Sequence, residues 1–288
     1  MIMKRYPSLR LLFVISACLV LVGCSATRTY MAGSVVRDVV EASQQQGDVS
    51  VIEKGSPAYL MLLDGLIYTN PDNQELLIAG ARGYLTYAAL AGDSSQNRIL
   101  YTRAKDYAMR AFDQNSRFAK CKEQPLDQFT ECVKKAFSKS DLPLLYWGAI
   151  SWGSWISSHL DSVEALAQLP RIEVLMKRAL EIDDSYNYGG AYLFLGIYEA
   201  VRPGGDLAKS KKYFLKGIEV GKGKLLTAYV SYATYYAMKV RDREVFHSAL
   251  TTVMMTSPDV VPDLTLVNTV ARTKAQELLE EEPIYFSN

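Results

Sequence analysis

The chain has 288 residues and few of the side chains that most often perform chemistry. It contains two histidines and four cysteines, and His159 and His247 lie too far apart for a His-x-x-x-His metal motif. The formal net charge is +1, so composition gives no reason to expect nucleic-acid binding. These scarcities argue against a metalloprotein, a cysteine-rich scaffold and a nucleic-acid-binding protein.

The sequence also lacks a recognisable catalytic or cofactor motif. Its nearest approach to a nucleophile elbow is AISWG at residues 149–153, which has alanine for the first glycine and no predicted strand before it. The acidic run at residues 280–282 is typical of a solvated face. A hydrolase would need a nucleophile, a base and an orienting group together. We therefore predict no catalytic residue, no metal, no cofactor and no enzymatic activity.

The apolar run near the N-terminus is too short to span a membrane. Residues 11–22, LLFVISACLVLV, are twelve in number, whereas a membrane-spanning helix needs about 20. Three basic residues precede the run, and it leads into LVGC at residues 21–24. This order is typical of a bacterial signal peptide with a lipobox, in which the Cys24 thiol takes a diacylglycerol. The alternative is an apolar N-terminal helix with an incidental cysteine.

The lipobox divides the chain into three predicted parts. Residues 1–23 form a signal peptide, 24–47 a lipidated tether and short helix, and 48–288 an all-helical domain. Removing 1–23, with three bases and no acid, leaves 265 residues with 29 bases and 31 acids, a net charge of −2. Ser25 instead of aspartate after the lipidated cysteine favours the outer membrane. We expect a periplasm-facing lipoprotein of the bacterial cell envelope, anchored by its acyl chains.

Only two of the four cysteines are then left to form a disulfide. Cys18 leaves with the signal peptide and Cys24 is acylated, so Cys121 and Cys132 remain in an oxidising compartment. We predict a disulfide, which for so short a loop contributes roughly 2–3 kcal/mol in the chain-entropy model. The alternative is two free thiols, and mass spectrometry with and without reductant separates the two by about two daltons.

The rest of the chain is typical of paired helices. Sustained period-two alternation is missing, while apolar residues recur at three- and four-residue spacing, as in Leu60, Leu63 and Ile67. A pattern ending in a small residue recurs, and its small residues, 68, 38 and 32 apart, are Ala111, Ala179, Gly217 and Ala249. We predict an all-α, tetratricopeptide-like (TPR-like) stack of helix pairs in a compact, irregular solenoid. The alternative is an unrelated helical bundle.

Two further patterns qualify the repeat. Small residues such as Gly148 and Gly196 occupy the predicted first helices, where they would let two helices of a pair cross closely. Residues 115–141 break the period and carry both remaining cysteines, which predicts an inserted helix pinned by the disulfide.

Aromatic residues are the only concentrated feature. The chain has 19 tyrosines, and a tyrosine ring suits half-wet grooves. Packing in the core and between repeats is the favoured explanation of these clusters, and a ligand groove is the alternative. The candidates for a groove that holds an apolar or amphipathic ligand are Trp147, Trp152, Trp155, Tyr192, Tyr229, Tyr232 and Tyr236.

Several segments, taken in order, resemble a known family. Two of them are LYWGAISWGSW at residues 145–155 and YGGAYLFLG at residues 188–196. The other similar segments are the lipobox and residues 62–73, 204–206, 208–223, 228–237 and 264–279. Together they resemble the T-component lipoproteins associated with TRAP transporters (TatT), over most of the chain after the signal peptide.

The resemblance implies a helical periplasmic lipoprotein with cryptic TPR-like repeats. It implies a homotrimer around a ligand-accessible hole, with a TRAP-type solute-binding protein as partner and a hydrophobic or carboxylate ligand passed toward a permease. It carries over no site residue except Cys24, and the segment around Cys121 and Cys132 is not part of it. The alternative function is a TPR-like lipoprotein adaptor in outer-membrane or cell-envelope assembly, which would bind a protein but no small ligand.

Overall fold

The computed structural model describes residues 33–91 and 94–287, and in these residues every regular element is helical. The all-α prediction is therefore confirmed. The predicted signal peptide and Cys24 lie outside the described residues. The α-helices in chain order are α1 (33–44), α2 (Val49–Thr69), α3 (Gln74–Ala91), α4 (Ser94–Gln114), α5 (Leu126–Ala136), α6 (Leu142–Ser157), α7 (Val163–Leu166), α8 (Leu169–Ile182), α9 (Gly190–Val201), α10 (Leu207–Val220), α11 (Thr227–Tyr232), α12 (Arg243–Met255), α13 (Thr265–Glu280) and α14 (Glu282–Tyr285).

Side-chain caps and prolines mark where several helices begin. Asp48 accepts hydrogen bonds from the backbone N–H groups of Ser50 and Val51, and Asp206 caps α10 in the same way. Prolines lie in the first turns of α6 and α8, where a missing N–H costs no helical hydrogen bond. The helix boundaries thus follow from local chemistry.

The most extensive helix contacts are α3 against α4, α4 against α6, α9 against α10, α2 against α3 and α6 against α8. Gly196 explains the crossing of α9 and α10, because a Cβ there would lie 2.9 Å from the Phe214 ring. The buried Ser210 hydroxyl donates to the Gly196 carbonyl at 2.8 Å and fixes the same contact. Small residues therefore set the approach of paired helices, while the TPR-like description remains an interpretation.

Gly148 serves a different contact from the one its spacing suggests. It lies on α6 and faces the Phe112 ring of α4, which belongs to the preceding pair, and not its own partner α8. A Cβ at this position would clash with that ring. The motif therefore reports close packing but does not specify which helix is the neighbour.

The described residues bury two apolar clusters. The first extends from Val36 to Leu195 and the second from Phe214 to Leu278. Helix α5 packs on α8 and adds Phe129 to the first cluster. The structure joins Cys132 of this helix to Cys121 by a disulfide. Whether the purified protein carries the bond remains a prediction for the mass measurement.

The acidic run at residues 280–282 is not uniformly solvated, which corrects the sequence interpretation. Glu282 is only 5% exposed. Its carboxylate accepts a hydrogen bond from Nε of Arg243 at 2.7 Å, and the other oxygen lies 2.7 Å from Nδ1 of His247. A turn of chain folds Glu282 back onto α12, a long-range contact that residue type alone does not reveal.

Candidate ligand-binding site

The three tryptophans of α6 have three different sets of partners. Trp152 is buried and its Nε1–H donates to Oε1 of Gln168 at 2.6 Å. Trp155 stacks on His159 and lies under the ammonium of Lys105, whose Nζ is 3.2 Å from the ring centroid. The ring of Trp147, in contrast, carries the guanidinium of Arg82, whose Cζ is 4.4 Å from the ring centroid.

The tyrosine candidates divide between α9 and the second apolar cluster. The hydroxyl of Tyr192 donates to Oδ2 of Asp184 at 3.2 Å. Tyr232 and Tyr236 stack with centroids 5.2 Å apart, where α11 passes into the π-helix Ala233–Ala237. Tyr229 packs against the same cluster. None of the seven aromatic candidates lines the cavity described next, and their role in a groove remains a prediction.

A cavity of about 270 Å³ lies between α1, α2 and α3. Leu266 of α13 contributes to its wall. The walls are mainly aliphatic or small, and the residues that line it are Val39, Val40, Ser43, Gln44, Val51, Ile52, Gly55, Ser56, Tyr59, Arg82, Gly83, Thr86 and Leu266. This volume approaches the lower end of the range usual for small-molecule sites, which begins at about 300 Å³.

Of the described residues that line this cavity, Arg82 is the one with a charged side chain. Its electrostatic neighbours in the described part of the chain are the tyrosines Tyr186, Tyr59 and Tyr146, and no carboxylate there pairs with it. Burial lowers the pKa of the guanidinium, and these tyrosines oppose that effect. Because arginine stays protonated in proteins, the site holds an uncompensated positive charge at neutral pH.

Aromatic side chains surround this charge. Tyr146 packs edge-on against Trp147 and Tyr186, with ring centroids 5.0 and 5.3 Å apart respectively. Burial raises the pKa of Tyr59 to about 12, and its hydroxyl is buried without any hydrogen-bond partner. We call Arg82, Tyr59, Tyr146, Trp147 and Tyr186 the Arg82 cluster. It contains one buried hydroxyl, that of Tyr59, and one half-buried cation, Arg82, that no carboxylate of the described protein pairs with.

The turn before α9, which positions Tyr186 in this cluster, has an unusual left-handed backbone conformation. Asn187, Tyr188 and Gly189 have φ of 48°, 56° and 78°, a left-handed run that is costly for the two non-glycine residues. The side-chain amide of Asn187 donates to the Tyr146 hydroxyl at 2.9 Å. Strained turns persist where the surrounding packing determines them, and here the turn sets Tyr186 against Tyr146.

A second cavity, of about 640 Å³, adjoins the first and shares Val40, Gln44 and Arg82 with it. This cavity is more polar, since Glu41, Glu75 and Asp263 also line it. Arg37 pairs with Glu75 at its edge. Arg82 therefore lies between an apolar chamber and an acidic one, and only the apolar chamber offers it an environment free of competing carboxylates.

The described residues also limit other kinds of site. Across residues 33–91 and 94–287, no helix combines the length and the apolar character that membrane crossing requires. Within the same residues, no group of histidine, cysteine and acidic side chains is arranged to hold a metal ion.

The described residues thus form an all-helical fold with a mainly apolar cavity that Arg82 lines. A model of the family "TRAP transporter T-component" matches residues 45–286, so the chain belongs to this family. It is therefore an accessory component of a TRAP transport system, and its family is one of transport subunits and not of enzymes. Comparison with curated proteins gave no match.

Sequence reasoning missed Arg82 and Tyr59, although one signal was visible. Between residues 76 and 91, Arg82 is the only charged residue in an otherwise apolar helix. A lone cation in such a segment is costly unless something satisfies it. Its partners come from α2, α6 and the turn before α9, and the sequence does not show that these elements meet.

Proposed function

We propose that the protein is a lipid-anchored, periplasm-facing accessory subunit of a TRAP transport system that docks a solute-binding protein and holds a hydrophobic or carboxylate ligand. The observation that supports ligand holding best is the mainly apolar cavity between α1, α2 and α3 with Arg82 in its wall. Family membership supports the transport role. The anchor rests on the lipobox that precedes Cys24.

Ligand holding is tested on the full-length protein purified from its native membrane. Native mass spectrometry is expected to find a bound apolar or carboxylate molecule in the folded protein and to lose it after denaturation. An empty protein that also takes up no apolar molecule when supplied with one would contradict ligand holding. That result would favour the adaptor alternative.

A protein-docking surface is suggested by the outer face of α2. Met61, Leu62 and Tyr68 are 76%, 51% and 87% exposed on this face. Gly65 lies in the same helix, and a Cβ there would meet nothing within 4 Å. Glycine inside a helix costs about 1 kcal/mol relative to alanine, and no packing among the described residues requires it at this position. A protein partner that approaches α2 closely would explain both the exposed apolar side chains and the glycine. In a TRAP system we assign this partner as the solute-binding protein.

Docking is tested by cross-linking in cells that express the Met61→Asp variant. We expect the wild type to recover a solute-binding protein and the variant to lose it, with unchanged thermal stability. Met255→Asp is the matched control, because Met255 is 83% exposed on α12, outside the outer face of α2. Equal recovery by both variants would exclude this face as the docking surface. If Met61→Asp instead converts a trimer to a monomer in sedimentation, a second copy of the chain is the occupant.

The anchor is tested by metabolic labelling with palmitate. Label is expected on the wild type and not on Cys24→Ala, and the labelled protein should fractionate with the outer membrane. Label that persists in the variant would contradict acylation at Cys24.

A further inference from the structure

The Arg82 cluster presents a charge that the described protein does not neutralise. The guanidinium lies on the Trp147 ring, and its other neighbours are tyrosines. A cation over an aromatic face recovers part of the energy lost on burial, but a carboxylate partner would recover more. The chain uses that solution elsewhere, since Arg103 faces Asp64 at 3.6 Å. The Arg82 cluster therefore supplies the cation of an ion pair, and the described protein does not supply the anion.

The chemistry of the cavity limits what the missing half can be. Among the described residues that line the apolar chamber there is no second cation, so one negative charge suffices and a phosphate dianion would remain undercompensated. The fork of a guanidinium matches the two oxygens of a carboxylate. Val39, Val51 and Ile52 in the same walls accept an aliphatic or aromatic tail. The volume of about 270 Å³ suits a tail of moderate length.

We infer that Arg82 binds the carboxylate of an apolar monocarboxylate whose tail occupies the cavity between α1, α2 and α3. This inference rests on the proposed ligand-holding function and adds the cavity that holds the tail and the residue that recognises the carboxylate. Tyr59, whose hydroxyl is buried without a partner, is the neighbouring group that gains most from a small rearrangement toward a bound carboxylate.

The probes are octanoate and its neutral counterpart octanamide, which share a tail and differ in charge. Full-length protein in phospholipid nanodiscs is titrated with each by calorimetry, with empty nanodiscs as the blank. We expect wild type to bind octanoate at least about tenfold more tightly than octanamide, as a charge-assisted hydrogen-bonded pair implies. Arg82→Gln should abolish the difference. Arg82→Lys, which keeps the charge but loses the fork, should restore it in part.

Arg110→Gln is the matched control. Arg110 also lies over an aromatic ring, that of Tyr107, but it donates to the Pro71 carbonyl and does not line the cavity. It should leave the preference for octanoate unchanged. Thr86→Glu tests the same idea with Arg82 in place, because residue 86 lies one helical turn from Arg82 and lines the same cavity. The new carboxylate should lower octanoate affinity about tenfold, whereas Thr86→Gln should not.

The outcomes separate this inference from the proposed function. Equal binding of octanoate and octanamide by wild type, or a preference that survives Arg82→Gln, would overturn the role of Arg82 and leave ligand holding intact. Failure of wild type to bind either probe would overturn the inference and would also count against ligand holding. The docking experiment is independent of both results.

Discussion

Two groups of arginine and tyrosine lie on neighbouring helices of the same core, and they differ in one carboxylate. Asp64 of α2 accepts hydrogen bonds from the hydroxyls of Tyr107 at 2.6 Å and Tyr84 at 2.8 Å, and it faces Arg103. We call these four residues the Asp64 cluster. The Arg82 cluster has the arginine and the tyrosines but no acid among the described residues.

The difference indicates what each cluster is for. In the Asp64 cluster every charged group has a partner, and burial and the hydrogen bond to Asp64 raise the pKa of Tyr84. Such a network stabilises the contacts among α2, α3 and α4 and needs nothing from outside. In the Arg82 cluster the arginine lines a cavity, and no carboxylate among the described residues pairs with it. A protein that needed Arg82 only for packing would do better with an uncharged side chain.

Ligand binding should give the largest contrast between the clusters. Octanoate at about one hundred times its Kd should add about 2.7 kcal/mol to the unfolding free energy of wild type, since it binds only the folded state. The same gain is expected in Asp64→Asn, because the two clusters share no residue and their effects should add. The Arg82→Gln variant should lose most of this gain in unfolding free energy. Thermal denaturation at matched octanoate concentrations measures the shift, and a full gain in Arg82→Gln would break the comparison.

Substitution without ligand should give the next largest contrast. Asp64→Asn replaces one of the two oxygens that accept from Tyr107 and Tyr84 with an NH2 donor and removes the charge that faces Arg103, which should cost about 2 kcal/mol. The melting temperature should then fall by roughly 4–8 °C for a chain of this size. Arg82→Gln should leave it unchanged or raise it, because a charge that no described carboxylate pairs with is removed from a half-buried site. If both variants lost stability equally, Arg82 would be a structural residue like Arg103.

The fold was predictable where local rules act. Helical periodicity and small residues such as Gly196 follow from constraints within a few turns of chain, and the structure agrees with the all-α prediction. The pairing of Gly148 with Phe112 was not predictable, because one motif fits two neighbours. Residue spacing indicates that two helices approach closely at this residue. Which helix is the neighbour depends on the fold of the whole chain.

The candidate site was much less predictable. Aromatic density drew attention to Trp152 and Trp155, which have their own protein partners. The cavity depends instead on Arg82, one residue of α3, and on how α1 covers it. Glu282 shows the same limit, since a run of acids predicts solvent exposure and only the folded chain shows an ion pair with Arg243.

The tyrosine hydroxyls offer a smaller but sharper contrast. Tyr107→Phe removes a hydroxyl that donates to Asp64 and should cost about 1 kcal/mol. Tyr59→Phe removes a buried hydroxyl without a partner and should be neutral or slightly stabilising. Urea denaturation of both variants against wild type measures the difference. A loss of stability in Tyr59→Phe equal to that in Tyr107→Phe would show that its hydroxyl is satisfied in solution.

The smallest expected effect tests whether a satisfied carboxylate outside both clusters behaves like Asp64. Burial alone would raise the pKa of Glu282, but the hydrogen bonds from His247 and Arg243 prevail and lower it. A carboxyl with a lowered folded-state pKa stabilises the protein fully above its ordinary pKa of 4.5, and that stability is lost as the pH falls through the lowered value. Below about pH 5, where the ordinary titration of this carboxyl begins, the stability difference between wild type and Glu282→Gln should therefore shrink. Urea denaturation across this range measures it, and a difference that grows toward acid pH would mean that burial dominates and that the ion pair with Arg243 is weak in solution.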